Sequence, residues 1–163
     1  MEYNDQYYLT HDIDYFLIFR GEPIHVASNG SIPPECIIGE KNREIQKMVY
    51  DAQINGGFEE RKADVNRNAI IRILENTGHD NVTDNDIDNY AESFESFAKM
   101  GFHSYDTIGT DLVKICGSTD TGGVNGNFIM PQSIPSVPDD FFTVDTEKEK
   151  YWESSVLSRH INK

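Results

Sequence analysis

Cysteine is nearly missing from this chain of 163 residues, which carries only Cys36 and Cys116. They could close at most one bridge, and neither falls in C-x-x-C or Cys/His spacing. A disulfide scaffold, a structural zinc site and a redox dithiol are therefore excluded. Long apolar runs are missing as well: the longest, Tyr15 to Phe19, is strand-sized and far short of the roughly 20 residues that cross a bilayer. No membrane association is expected. Basic residues are scarce, 14 Lys and Arg against 28 Asp and Glu, a net charge of −14. Nucleic-acid affinity is built from cations that neutralise phosphate, so direct nucleic-acid binding is set aside. The opening stretch, Met1 to Gln6, holds acids where a secretory leader holds lysine or arginine, and no apolar segment follows. A reducing cytoplasm is the expected setting.

What is present reads as one α+β domain over residues 1–163. An N-terminal β-hairpin is predicted over 12–29, with strands Asp12–Phe19 and Ile24–Ser28 about a turn at Arg20–Pro23. Pairing Phe19 with Ile24 puts Asp14, Phe16, Ile18, His25 and Ala27 on one face, and Tyr15, Leu17, Phe19, Ile24, Val26 and Ser28 on the other. Asn29-Gly30 and Pro33-Pro34 end that unit. Three helices follow: about 39–53, stopped by Asn55-Gly56-Gly57; about 65–76 behind an Asp64 cap; and one opened by the capping box Thr83-x-x-Asp86 and closed by Gly101. Extended pieces at 102–108 and 112–116 join the hairpin in one sheet. A long Gly/Pro-rich loop spans about 117–140, with a short strand at 127–130. A strand at 141–144 and a C-terminal helix at 146–160 complete the chain.

The candidate sites are weak one by one. Leu9-Thr-His-Asp-Ile-Asp14 has the look of a polysaccharide-deacetylase metal strand, but that chemistry needs two further histidines four residues apart. His11, His25, His79, His103 and His160 never supply them. His25 and Ser28 suggest a base and a nucleophile, with Asp14 as orienting acid. Residues three apart on one strand face opposite ways, however, and the assumed pairing leaves Asp14 on the order of 13 Å from His25. Asp84, Asp86, Asp88, Glu92 and Glu95, near Asp80, fall at positions 1, 3, 5, 9 and 12 of a calcium loop. Position 6, where glycine must turn, is Asn89, and acids in a first helical turn have a simpler use against the helix dipole. Gly117-Ser-Thr-Asp-Thr-Gly-Gly-Val-Asn-Gly126 has the glycine density of a phosphate loop without its Lys-Ser/Thr. No cofactor and no metal are expected.

Aromatic residues are abundant, eight Tyr, nine Phe and one Trp. Tyr3, Tyr7, Tyr8 and Tyr15 crowd one end of the chain, and Phe141, Phe142, Tyr151 and Trp152 the other. Such rings bury area while keeping a polar handle. Tyr7, Tyr8, Phe141, Phe142, Tyr151 and Trp152 are therefore the expected contacts for a protein partner or a second copy of the chain. Three strings, Asp12-Ile-Asp-Tyr-Phe16, Ile24-His-Val-Ala-Ser-Asn-Gly30 and Gly101-Phe-His-Ser-Tyr-Asp106, resemble a group of small uncharacterised bacterial α+β proteins, over roughly 10–116. That group has no assigned activity, so the resemblance implies a bacterial cytoplasmic setting and no residue roles. The leading expectation is a non-enzymatic binding or accessory protein. The rival is a small hydrolase or transferase that gathers His25, Asp14 and His103 around the Gly-rich loop. An acidic decoy that imitates nucleic acid is a further variant of the first.

Overall fold

The hairpin tip shows how local chemistry sets the geometry of the whole. Arg20 and Gly21 both take positive φ, 52° and 78°, the two-residue turn whose twist matches the strands it joins. The computed structural model describes residues 5–37, 39–56, 60–118 and 134–159. In chain order these form α1 (Asp5–Thr10), β1 (Asp14–Phe19), β2 (Glu22–Ala27), α2 (Glu40–Asn55), β3 (Ala63–Val65), α3 (Arg67–Asn76), α4 (Asp84–Ala98), β4 (His103–Ile108), β5 (Asp111–Ser118), β6 (Ser136–Val137), β7 (Phe142–Val144), α5 (Thr146–Trp152) and β8 (Val156–Arg159). The α+β class with an N-terminal hairpin, central helices and a C-terminal helix holds. Most of the Gly-rich run, with the strand expected at 127–130, lies outside the described residues.

The strands form one mixed sheet in the order β6-β1-β2-β4-β5-β8-β7, with β3 beside β5. β2 and β4 run parallel; β4 and β5, β5 and β8, and β8 and β7 run antiparallel. If the sheet were flat, β1 and β7 would stand on the order of 24 Å apart. Yet the rings of Phe19 on β1 and Phe142 on β7 meet edge to face with centroids 5.2 Å apart. The sheet therefore curls until its two sides touch. Its inner face is apolar, with Leu17, Ile24, Val26 and Leu112 buried there. Its outer face is covered by α2, α3 and α4 through Phe16, Phe97, Phe102, Ile70 and Ile115.

Four local expectations change. The hairpin turn is Arg20-Gly21, not Arg20–Pro23, so Phe19 pairs with Glu22 and Phe16 with His25. Pro23 lies in β2 because proline is tolerated near the start of a strand. α3 is capped by Asn66, whose side chain accepts from Ala69 N–H at 3.1 Å, while the stretch around Asp64 pairs with β5 as β3. The C-terminal helix stops at Trp152, because Glu153 turns left-handed with φ 52°. The chain then enters β8, where Val156 and Leu157 slot between β5 and β7. α4 follows its signals: Thr83 Oγ1 accepts from Asp86 N–H at 3.2 Å, and Asp86 Oδ2 accepts from Thr83 N–H at 2.9 Å. Among the described residues, no helix is long and apolar enough to cross a membrane.

Candidate functional site

Register places the polar groups in two rows across the outer face of the sheet. Asp14 on β1, Ala27 on β2 and Asp106 on β4 stand side by side, and one step along, Phe16, His25 and Ser104 do the same. Neighbours across strands share a face, so all six side chains point at α2 and α4. Asp14 is diagonal to His25, well inside the reach of an imidazole. This corrects the 13 Å separation expected from the sequence. The two-residue shift in pairing leaves every side chain on its assigned face and changes only who stands opposite whom.

His25 Nε2 donates to Asp14 Oδ1 at 2.7 Å, and its Nδ1 lies 2.5 Å from Ser104 Oγ. The ring stacks on Phe97 of α4, with centroids 3.8 Å apart and planes 23° apart. α2 holds the acid end: Tyr50 O–H donates to Asp14 Oδ2 at 2.5 Å, and the Asn42 and Gln46 amides donate to the Asp14 carbonyl at 3.2 and 2.6 Å. Burial works against the Asp14 charge, but the hydrogen bond and charge of His25 and the Tyr50 phenol outweigh it, holding the carboxyl below its usual range.

Serine, histidine and aspartate thus share the connectivity of a hydrolytic triad. Their order relative to solvent is reversed. Ser104 is 0% exposed and His25 1%, while the Asp14 side chain keeps 28%. In a hydrolase the hydroxyl must meet substrate and the acid lies behind the imidazole. Here the acid is the outermost group and the hydroxyl is sealed beneath the helices, where it can hydrogen-bond but cannot attack.

Asp106 forms a second polar knot on the same face. Tyr90 of α4 donates its phenol to Asp106 Oδ2, Thr107 N–H donates to Oδ1 at 2.8 Å, and Thr107 Oγ1 donates to the Ala27 carbonyl at 2.8 Å. Burial pushes the Asp106 carboxyl up to about 6; the Tyr90 hydrogen bond opposes the shift, and the charge of Asp12 adds to it. Each acid flanking Ala27 is thereby tied to a tyrosine from a different covering helix.

The remaining candidates disperse. His103 pairs in register with Ile24 on the inner face, so the set His25, Asp14 and His103 is not assembled: the sheet stands between its members. Ser28 turns away from His25, and its Oγ accepts from Ile13 N–H at 2.7 Å. Asp84, Asp86, Asp88, Glu92 and Glu95 lie on α4, a continuous helix where a calcium reading needs a loop. Asp84 pairs with Arg67 at 2.5 Å, and among the described residues no group of His, Cys, Asp or Glu is placed to hold a metal. Phe142 and Trp152 are 1% and 5% exposed, core residues that present no surface to a partner. Phe141 is half-buried against Phe142, Tyr7 stacks on His11 with centroids 3.8 Å apart, and the Tyr8 side chain lies outside the described residues. Tyr151 is the expected contact that remains outside, 46% exposed.

Ser104, Tyr50, Tyr90 and Asp106 escaped the sequence reading. One signal was available: in His-Ser-Tyr-Asp, the alternate positions 104 and 106 put two polar groups on one face of a strand. No protein-family model, curated protein or solved structure matches the chain, so its function is read from geometry.

Proposed function

We propose that this chain is a non-enzymatic binding or accessory protein of the bacterial cytoplasm that engages another protein or a second copy of itself. One observation carries the reading: the sole Ser-His-Asp line among the described residues has its hydroxyl sealed at 0% exposure and its acid at the rim. The polar groups around it are used to fasten α2 and α4 to the sheet. The charge of −14 favours protein partners over nucleic acid. Tyr151 supplies a contact of the kind interfaces use. Arg72 lies over its ring at 4.5 Å and Asn76 donates to its hydroxyl at 3.4 Å, so the exposed ring is already held and loses little freedom on binding.

The test is a fluorophosphonate probe of the folded protein, read by peptide mass spectrometry. No adduct is expected on Ser104 at pH 7 to 8, and stoichiometric labelling there would overturn the reading. Light scattering over a concentration series then assigns the partner: a mass above the monomer that falls in Tyr151→Ala identifies a second copy.

A further inference from the structure

The inner face of the sheet is apolar except around Lys114, which stands on β5 opposite Tyr105. Its backbone is pinned on both sides: the N–H donates to the Ser155 carbonyl at 3.0 Å, and the carbonyl accepts from Ser154 Oγ at 2.7 Å. A register shift between Ser104 and Tyr105 inserts an extra residue into β5 here and brings Gly117 beneath the lysine side chain. A Cβ at Gly117 would lie 2.8 Å from Lys114 Cε, 3.0 Å from Nζ and 3.2 Å from His103 Nδ1. Amine and ring nitrogen are neighbours across one empty Cβ position, and only glycine leaves that space. A lysine that merely covered apolar surface would carry its amine out to water; this one folds inward.

His103 is oriented from its far side. Its Nε2 faces Glu22 Oε2 at 3.1 Å, which makes that nitrogen the N–H and leaves Nδ1 as the acceptor. Nδ1 is buried and has no hydrogen-bond partner among the described residues. Lys114 stands where two cavities meet, one of about 620 Å³ bordered by Asn66 and Ser118, the other of about 280 Å³ bordered by His103 and Tyr105. Burial lowers the amine from the ordinary lysine value against the pull of Glu22, Asp64 and Cys116. Burial and the Lys114 charge lower the His103 imidazole, with Glu22 opposing. Both shifts favour a free amine beside a free imidazole near neutral pH.

We propose that Lys114 is a carbonyl-capturing lysine, with His103 Nδ1 as the base that takes the proton from its ammonium and a small aldehyde or ketone as its ligand. The Nζ lone pair attacks the carbonyl carbon, and the C=O π pair moves to oxygen, which takes the proton back from His103. The carbinolamine then loses its hydroxyl as water with a second proton from nitrogen. One C=O and two N–H bonds are exchanged for one C=N bond and one water, with no oxidant or reductant. The site lies on the face opposite Ser104 and does not depend on the binding reading above.

The experiment treats the full chain at pH 7 with propanal and sodium cyanoborohydride, and follows propylated lysines by peptide mass spectrometry. Lys114 is expected to label ahead of the exposed Lys41 and Lys47, because a lysine lowered by burial holds a larger share of free amine near neutral pH. Gly117→Ala puts a methyl against the flexible end of Lys114 and against His103 Nδ1, and should abolish that lead. His103→Leu should slow Lys114 labelling at pH 7 without slowing Lys41 or Lys47, because the base that takes the ammonium proton is gone, and His103→Asn, which keeps an acceptor but no base near Nδ1, should not restore it. The proposal is overturned if Lys114 labels no faster than Lys41 and Lys47, or if Gly117→Ala keeps the lead while circular dichroism shows the native fold.

Discussion

Two histidines on adjacent strands have opposite fates. His25 on β2 and His103 on β4 are one register position apart, so they stand on opposite faces of the sheet. His25 lies under two helices, and all its polar atoms are matched: acid at one nitrogen, hydroxyl at the other, phenyl ring on its face. His103 lies near an opening of the inner face, matched at Nε2 and orphaned at Nδ1. Where water is excluded, an unmatched polar atom costs about 1–3 kcal/mol; the His25 line has none, and the covered side carries its unmatched atom at Asn42 Oδ1 on α2 instead. The open face keeps one, beside a lysine. Sheet parity therefore separates the part of the molecule built to hold from the part able to react.

The largest effect that would break this contrast is His25→Ala. Removing the imidazole strands the Ser104 hydroxyl and the inner oxygen of Asp14 and opens a cavity beside Phe97, an expected loss of about 3 kcal/mol. The urea midpoint reads it; a loss below about 1 kcal/mol would mean that the knot does not hold the helices.

A second contrast, between the two acids that flank Ala27, gives the next effect. Asp14 is held below its usual range, so its contribution is present above the unfolded value near 4 and is lost as pH falls through the lower folded value. Asp106, raised to about 6, does the opposite: its contribution is complete below about 4 and is lost as pH rises through about 6. Asp106→Asn should therefore gain about 1–2 kcal/mol at pH 7 and flatten the stability profile between pH 4 and 7. A variant less stable than wild type at pH 7 would place the value of Asp106 in its hydrogen bonds to Tyr90 and Thr107. The smallest effect is His103→Leu, expected within about 0.5 kcal/mol of wild type because it removes one hydrogen bond to the exposed Glu22 and one orphaned nitrogen together.

What could be seen in the sequence was local. The Thr83 and Asp86 box announces α4 because both partners lie within one turn, and alternation puts His25 and Ser28 on opposite faces of one strand whatever the pairing. What could not be seen was non-local. Ser104 lies 79 residues from His25, and a serine in a strand carries no mark of its partner. The hairpin register turned on whether Pro23 belongs to the turn, and a slip of two hid the Asp14 contact while preserving every face. The C-terminal helix was extended through 160 because Tyr151, Trp152, Val156 and Leu157 fit a helical stripe; the left-handed Glu153 and the place waiting beside β5 decided otherwise.

The contact of Phe19 with Phe142 also orders events in time. The rings that close the curl belong to the first and to one of the last of the described strands, and β8, the last of them, inserts between β5 and β7. A growing chain can complete its hairpin and α4 early, yet the seam must wait for the final segment. Until then the Asp111–Val113 edge of β5 lacks its β8 partner and Phe19 faces water, so loss of β8 would yield a sticky, open half-shell.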